Sequence, residues 1–374
     1  MVDEQDKKAL PLAAFMALTA AQFKDIAQSG PDSGKPVAAR DNRMIDQSRW
    51  GGGSLGTGGM WRIVAKLAVS ALLIWLAFRG WNSAGVFHQI LMVNRWALVA
   101  ALVCVGALIP LLVVRWGAIL AALGRHCRFG ALFPISMMST FFGQTLPSTT
   151  GGDVMRVWLA YRAGLSGRLA FSSTLIDRVV GVLVNLLFVT AGLPWLARFV
   201  SSNIIWRTML ATLALTYAAI VVVMFLDLVP LPLRRLKPLA AIADLASDLR
   251  LILLNPIKAT APLAYSIVNQ IGMIVVVFVL AKGLGIAVNV WLLALIVPLS
   301  TLVQAVPISI AGWGIRENFY VLAFGQIGVP SADALALSML YGAVVLVSSL
   351  PGGVIWLARR QAKPVDASPA EHNR

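Results

Sequence analysis

The stretch Gln144-Thr-Leu-Pro-Ser-Thr-Thr-Gly-Gly-Asp-Val-Met-Arg156 has a counterpart 160 residues later, Gln304-Ala-Val-Pro-Ile-Ser-Ile-Ala-Gly-Trp-Gly-Ile-Arg316. Both follow the pattern Gln-x-x-Pro-x-(Ser/Thr)-x-(small)-Gly-x-x-x-Arg. Each copy interrupts an apolar segment with proline and glycine, and then presents an arginine where contact with hydrocarbon is expected. In a membrane protein, broken and charged helices at matching positions of two halves indicate a substrate-binding site.

The composition is that of a membrane protein. Hydrophobic residues make up 59% of the 374 residues and charged residues only 13%. Several apolar runs reach the length of roughly 20 residues that a membrane-spanning helix needs. The three histidines and two cysteines are scattered, without the spacing of metal ligands or of a disulfide framework. We therefore expect no metal and no other cofactor.

The formal net charge of +15 is distributed as in a membrane protein. Acidic and basic residues cancel within residues 1–60, and the excess of Lys and Arg lies near the ends of the apolar runs that follow. The sequence contains no compact basic patch, so nucleic acid is not an expected partner. The expected partner of these basic ends is the anionic membrane surface.

Three parts of the chain are predicted: a disordered cytoplasmic tail over 1–60, a transmembrane domain over 61–360 and a short cytoplasmic tail over 361–374. The predicted fold is an all-α polytopic membrane protein. About six full transmembrane helices are expected from the apolar runs. Those runs lie near 61–79, 95–121, 169–197, 208–226, 259–281 and 332–357.

Two further apolar stretches, 132–163 and 291–327, contain the repeated motif and bring the hydrophobic segments to eight. We predict that each is a helical hairpin broken at Pro147 or Pro307, because the backbone groups released there must be buried in protein or face water. If both termini are cytoplasmic, most loop Lys and Arg residues lie inside. Three full spans then separate the hairpins, which would enter from opposite faces as an inverted repeat.

The segment 230–258 between two predicted spans allows two interpretations. Its apolar residues recur at helical spacing beside several basic residues, which is typical of an interfacial helix lying on anionic lipid. The same pattern is equally typical of a solvated connecting helix that packs on its neighbours.

Only seven acidic residues lie between positions 61 and 358, and three of them adjoin an arginine in apolar sequence. This proximity predicts three ion pairs: Asp153 with Arg156, Asp177 with Arg178, and Glu317 with Arg316. An ionised side chain in hydrocarbon costs at least about 2.5–3.5 kcal/mol, so the retained pairs indicate a polar interior. Arginine forks match phosphate oxygens, and we predict that these residues bind an anionic headgroup. The residues predicted to line the same site are Gln144, Thr149, Gly152, Gln304, Ser309 and Gly312.

Structural explanations compete with this interpretation. The two prolines would serve equally well as helix kinks, Asp177 and Arg178 as a buried structural ion pair, and Arg156 as a marker of the cytoplasmic boundary. Arg316 lies on the predicted outer side, where the boundary explanation fails, and is therefore the strongest single candidate. Three further polar residues within predicted spans are expected to form hydrogen bonds between helices: Asn185, Asn269 and Gln270.

The motifs also resemble those of a known membrane-protein family. The runs from Leu146 to Arg156, Ile176-Asp-Arg-Val-Val-Gly181, and from Pro307 to Glu317 resemble the lysylphosphatidylglycerol synthase transmembrane family, also called flippase-like. The resemblance covers 61–360. It implies a multi-pass protein of the bacterial or archaeal cytoplasmic membrane that handles lipids. The functional residues that it implies are Asp153, Arg156, Asp177, Arg178, Arg316 and Glu317.

The resemblance implies a translocase that moves an anionic or polyprenyl-phosphate-linked lipid across the cytoplasmic membrane, and we accordingly expect no enzyme. Only 14 residues follow Arg360, so the aminoacyl-transferase domain of the synthase is expected to be absent. The alternative is a membrane subunit or enzyme in lipid-linked glycan or aminoacyl-phospholipid metabolism, with a synthase or transferase as partner. An acid such as Asp177 would then act as general base, although no nucleotide-binding motif is recognisable.

Overall fold

A computed structural model of the chain describes residues 83–146, 150–196, 203–228, 237–305 and 314–361. These ranges are helical and contain no strand. The tail predicted over 1–60 and the span predicted over 61–79 lie outside the described residues, as do Pro147 and Pro307.

The described helices follow the predicted segments closely. They are α1 (Ser83–Met92), α2 (Arg95–Ala122), α3 (Phe129–Thr145), α4 (Gly151–Arg162), α5 (Gly167–Leu196), α6 (Asn203–Met224), α7 (Lys237–Leu253), α8 (Pro256–Gly283), α9 (Val290–Ala305), α10 (Ile315–Gly325) and α11 (Ser331–Gln361). Within the described ranges, α2, α5, α8 and α11 are long and apolar enough to cross a membrane, and α6 and α9 contain shorter apolar stretches. The prediction of an all-α polytopic membrane protein is confirmed.

Side-chain caps begin two of the long helices. The Asn94 side chain accepts a hydrogen bond from the Trp96 backbone N–H at 2.9 Å, at the start of α2. The Asn255 side chain does the same for the Ile257 and Lys258 backbone N–H groups at 3.1 and 3.2 Å, at the start of α8. These caps satisfy backbone donors that have no partner within the helix.

Each stretch that carries the repeated motif contains two helices. In the first, α3 ends at Thr145 and α4 begins at Gly151; in the second, α9 ends at Ala305 and α10 begins at Ile315. A break within each stretch was predicted from its proline and glycine residues, which interrupt the ladder of helical hydrogen bonds. The two helix pairs are called the first hairpin (α3 and α4) and the second hairpin (α9 and α10).

Helices α2 and α8 run antiparallel against each other. The Asn94 backbone N–H donates to the Gly283 carbonyl at 3.0 Å, and the Cys104 thiol contacts the Gly272 carbonyl at 3.9 Å. Towards the other end of α2, Arg115 Nη1 donates to Ser266 Oγ at 3.3 Å. Residue numbers therefore rise along α2 as they fall along α8.

Corresponding helices in the two halves of the chain make corresponding contacts with the other half. Helix α3 of the first hairpin packs on α11, and α9 of the second hairpin packs on α5. Helices α4 and α10 pack on the long helices that follow them, α5 and α11. Each hairpin is thus held between its own following helix and the corresponding helix of the other half. The largest buried cluster includes Tyr320 and Phe324 of α10, both fully buried.

Helix α7 packs on its neighbours, as the second interpretation of segment 230–258 predicted. Leu249 and Ile252 are buried in one cluster with Ile119 of α2 and Ile176 of α5. Arg250 of the same helix forms a bidentate ion pair with Asp227. A helix that lay only on lipid would not bury this face within the protein.

Candidate functional site

Asp177 of α5 is held by two arginines from two other helices. Arg115 of α2 donates from Nε and Nη2 to the two carboxylate oxygens at 2.6 and 2.7 Å. Arg156 of α4 donates from Nη1 to Oδ2 at 2.8 Å. The exposed fractions of the three side chains are 5% for Asp177, 11% for Arg115 and 12% for Arg156. These three residues are called the Asp177 cluster.

The Asp177 cluster carries one more positive charge than negative charge, because a single carboxylate serves two guanidinium groups. Hydroxyl groups take up further arginine donors: Arg115 Nη1 donates to Ser266 Oγ, and Arg156 Nε donates to Ser139 Oγ, each at 3.3 Å. The hydroxyl groups contribute no negative charge. The cluster is therefore a buried cationic site that remains positive after its internal pairing.

An aromatic residue orients the arginine from α4. The Arg156 guanidinium lies 5.5 Å from the centroid of the Trp116 ring, within the range of a cation–π contact. Trp116 is fully buried, and its indole N–H donates to Ser173 Oγ at 3.2 Å. Helix α2 therefore contributes two adjacent residues to the site: Arg115 itself, and Trp116, whose ring contacts Arg156.

Asp153 of α4 pairs with Arg178 of α5 at 2.5 Å. The exposed fractions of these two side chains are 26% and 34%, so this pair is more accessible than the Asp177 cluster. Asp153 also lies in the first turn of α4, where a negative charge is favoured by the helix dipole. The pair is electrically neutral and joins the first hairpin to α5.

Two of the three ion pairs predicted from sequence proximity are wrong. Asp153 was expected to pair with Arg156 and Asp177 with Arg178, but the two arginines are exchanged between the two carboxylates. Asp177 faces Arg115 and Arg156, whereas Arg178 faces Asp153 of α4, so proximity in the sequence did not decide the partner. Helices α4 and α5 pack side by side, which brings each arginine to the acid of the other helix.

The third predicted pair, Arg316 with Glu317 in α10, is confirmed. Arg316 Nη2 donates to Glu317 Oε1 at 2.6 Å, and Arg316 Nε donates to Ser338 Oγ of α11 at 3.1 Å. The second carboxylate oxygen of Glu317 accepts the Gly314 backbone N–H at 2.6 Å, which closes the start of α10. The Tyr341 ring lies 5.5 Å from the Arg316 guanidinium carbon. These residues, except Gly314, are called the Arg316 cluster.

The other predicted site residues divide into three groups. Gly152 lies against α3, where a side-chain Cβ would approach the Ser139 carbonyl oxygen to 2.6 Å, so its missing side chain allows close helix packing. Gln144 is in the last turn of α3, and the Gln304 side chain donates to the Ser300 carbonyl of its own helix at 2.9 Å. Their role in binding a ligand stays a prediction. Three predicted residues lie outside the described part of the chain: Thr149, Ser309 and Gly312.

Arg115 was missed because it lies within the predicted span 95–121. The signal was nevertheless present, since an arginine within an apolar run of Leu, Val and Trp residues is costly in a membrane and marks a function by default. It has no acidic neighbour in the sequence. Arg115 is therefore recognisable as an isolated charge within an apolar span and not as a member of an acid–arginine pair.

Among the described residues, no three His, Cys, Asp or Glu side chains gather as metal ligands.

One protein family matches most of the chain. No curated protein and no solved structure gives a significant match to the chain. The sequence model of the lysylphosphatidylglycerol synthase TM region matches residues 63–352, well over half of the chain, and includes both hairpins and both arginine clusters. The protein therefore belongs to the family of the lysylphosphatidylglycerol synthase TM region, a family of multi-pass membrane proteins in lipid metabolism or translocation.

Proposed function

We propose that the protein is a lipid translocase that moves an anionic phospholipid or a polyprenyl-phosphate-linked lipid between the leaflets of the cytoplasmic membrane. The observation that carries the proposal is the excess positive charge of the Asp177 cluster. Arg115 and Arg156 share one carboxylate although all three side chains are almost fully buried. A buried charge without a counter-ion is strongly unfavourable, so the cluster favours the entry of an anion.

The charge and hydrogen-bonding groups of the Asp177 cluster match those of a lipid phosphate. Arginine presents planar N–H groups that match phosphate oxygens, and a phosphate would complete the neutralisation that Asp177 begins. The lipid tails can remain in the bilayer while the headgroup enters between helices. Free phosphate has the same oxygen atoms for these arginines to bind. It has no lipid tails, however, and so does not approach the site from the bilayer.

The Arg316 cluster has a different charge. Arg316 and Glu317 form a one-to-one pair, so this cluster is neutral. We infer that an anionic headgroup binds first to the positive Asp177 cluster, and that Arg316 contributes only when its pair with Glu317 opens. Arg316 was the strongest candidate from the sequence, but Arg115 and Arg156 have the principal role in this proposed mechanism.

The two halves are proposed to form an inverted repeat. Support comes from the reciprocal contacts, in which α3 packs on α11 and α9 packs on α5, and from the antiparallel arrangement of α2 and α8. Inverted repeats place a substrate site near the middle of the bilayer and allow it to open to either face. The Asp177 cluster belongs to the first half and the Arg316 cluster to the second.

The first test is the substitution Arg156→Gln. It removes the excess charge and leaves the bidentate pair of Arg115 with Asp177 in place, so the protein is expected to fold. We expect the movement of fluorescently labelled phosphatidylglycerol across reconstituted vesicles to fall at least about tenfold, because charge-assisted hydrogen bonds to the phosphate are lost. The measurement is the fraction of label that an impermeant quencher reaches over time.

The matched control is Arg162→Gln on the same helix, α4. The Arg162 guanidinium stacks on Trp158, which is exposed, and Arg162 lies six residues after Arg156, in the last turn of α4. This variant should move lipid at the wild-type rate. Wild-type movement in Arg156→Gln, with both proteins equally well folded, would refute the proposal.

The proposed orientation places the loop between α2 and α3 in the cytoplasm and the loop between α8 and α9 outside. His126 and Ala287 are exposed residues of these two loops. In a protein whose two native cysteines are replaced, His126→Cys should react with an impermeant maleimide only from the cytoplasmic side, and Ala287→Cys only from the outside. Native Cys127 is a poorer probe, because burial raises the pKa of its thiol and lowers the fraction of reactive thiolate. The reverse labelling pattern would invert the proposed orientation.

A further inference from the structure

Two amides in the membrane-spanning helices are buried with unused hydrogen-bonding capacity. Asn185 of α5 and Gln270 of α8 are 7% and 6% exposed. Asn185 Oδ1 and Gln270 Nε2 have no hydrogen-bond partner among the described residues. The Asn185 amide nitrogen donates to the Gly181 carbonyl of its own helix at 2.9 Å. Asn269 of α8 is less buried, and its Oδ1 is likewise without a hydrogen-bond partner among the described residues. The prediction that Asn185, Asn269 and Gln270 bond between helices is therefore wrong for these three atoms.

An unpaired amide in a protein interior is unfavourable, since it has left water and gained no replacement hydrogen bond. An apolar side chain of similar size would be more stable at either position. Both amides are thus better explained by a ligand that uses them than by a contribution to the stability of the fold.

The two amides occupy corresponding faces of two parallel helices. Asp177, Gly181 and Asn185 lie one turn apart on the same face of α5, as Ser266 and Gln270 do on α8. Arg115 joins these faces: it binds Asp177 and Ser266, and a Cβ at Gly181 would lie 3.9 Å from its Nη1. Ala170 of α5 is buried in one cluster with Trp116 and Leu120, towards the end of α2, whereas Phe188 packs on the cluster of Ala101 and Val105, towards its start. Helix α5 is therefore antiparallel to α2 and hence parallel to α8.

The same face of α8 leads from the Asp177 cluster to the Arg316 cluster. Ser266 contacts Arg115 at one end, and Met273 accepts a hydrogen bond from the Tyr341 hydroxyl at 3.7 Å at the other. The Tyr341 ring in turn contacts Arg316. Seven residues of helix separate Ser266 from Met273, which corresponds to about 10 Å. Gln270 lies between them.

We propose that Asn185 and Gln270 bind uncharged hydroxyl groups of the headgroup as it passes between the two arginine clusters. The inference rests on the proposed translocase function and narrows its substrate class to lipids with a phosphate and a polyol, such as glycerol or a sugar. The unused atoms are one acceptor, Asn185 Oδ1, and one donor, Gln270 Nε2. A hydroxyl group both donates and accepts, so it can satisfy either atom or both.

The test compares two labelled lipids in vesicles of phosphatidylethanolamine and phosphatidylglycerol. Phosphatidylglycerol carries a phosphate and a glycerol, whereas phosphatidic acid carries a phosphate alone. The variants are Gln270→Met and Asn185→Leu, which remove the amides with little change in volume. We expect each to slow phosphatidylglycerol about fivefold to tenfold, as for the loss of one or two hydrogen bonds, and to leave phosphatidic acid unchanged.

A second readout separates this role from a structural one. If the amides serve a ligand, thermal unfolding of both variants in detergent should occur at the wild-type temperature or above it. The matched control is Gln326→Met, at an exposed position after α10, which should leave both lipids and the unfolding temperature unchanged. A lowered unfolding temperature with equal slowing of both lipids would overturn the inference, because it would show that the amides support the fold.

Failure of the inference is distinguishable from failure of the proposed function. If Arg156→Gln blocks both lipids and the amide variants slow neither, the translocase stands and the polyol site is refuted. If Arg156→Gln leaves both lipids at the wild-type rate, the proposed function fails, and the polyol site that rests on it fails as well. Selective slowing of phosphatidylglycerol in the amide variants, beside a block in Arg156→Gln, supports both.

Discussion

Replacing Asp177 by asparagine is expected to destabilise the protein by about 3–5 kcal/mol, the cost of removing one partner from a buried ion pair. The substitution leaves Arg115 and Arg156 close together without a carboxylate, and both side chains are almost fully buried. Their mutual repulsion adds to weaker hydrogen bonding, because asparagine offers one uncharged acceptor oxygen where Asp177 accepts three arginine hydrogen bonds. The measurement is the free energy or midpoint temperature of unfolding in detergent.

The matched control for this substitution is Asp153→Asn, which removes a carboxylate from the more exposed pair with Arg178. Solvent screens that pair, so the expected loss is no more than about 1 kcal/mol. Adding Arg156→Gln to Asp177→Asn should recover part of the stability, because it removes one of the two stranded charges. Equal losses at Asp177 and Asp153, with no recovery in the double variant, would contradict this account of the Asp177 cluster.

Replacing Gly352 by alanine is expected to cost about 3 kcal/mol, at the upper end of the usual range for overpacking. Gly352 of α11 faces the Met137 carbonyl of α3, and an added Cβ would overlap this backbone oxygen. A backbone atom within a helix cannot rotate away as a side chain can. The two helices must separate instead, and this contact holds the first hairpin against the second half of the protein.

Gly106 of α2 provides the control, since nothing lies within 4 Å of a Cβ added there. Alanine is the better helix former by about 1 kcal/mol, so Gly106→Ala should be neutral or stabilising. Comparing the unfolding temperatures of the two variants separates the loss of helix packing from the general effect of the substitution. A Gly352→Ala protein that is as stable as Gly106→Ala would show that α3 and α11 do not pack this closely.

The positions of the helices were largely predictable, because they depend on local properties of the chain. Predicted spans such as 95–121 and 259–281 differ by only a few residues from α2 and α8. Apolar length identifies a spanning helix, and proline with glycine identifies a break, without knowledge of the partner helices. The packing of α7 was not decided by its sequence, since the same apolar face suits lipid and protein alike.

The sequence allowed the charged residues of the candidate site to be predicted, but not which side chains pair with each other. The pair of Arg316 with Glu317 was correct, whereas Asp153 with Arg156 and Asp177 with Arg178 are also close in sequence and do not pair. Asp177 acquires its strongest partner from Arg115, 62 residues away, and no feature of the local sequence indicates this contact. Side-chain partners across helices depend on which helices pack together and in what register.

The sequence by itself therefore determined the membrane class, the helical segments, the two broken hairpins and the scarcity of charge within the spans. Only the tertiary structure decided that Arg115 and Arg156 share Asp177, and that Asn185 and Gln270 retain unused hydrogen-bonding atoms. The physical reason is the range of the interactions involved. Burial in a membrane acts on each segment separately, whereas neutralising a charge requires two side chains that the packing of α2, α4 and α5 brings within about 3 Å of each other.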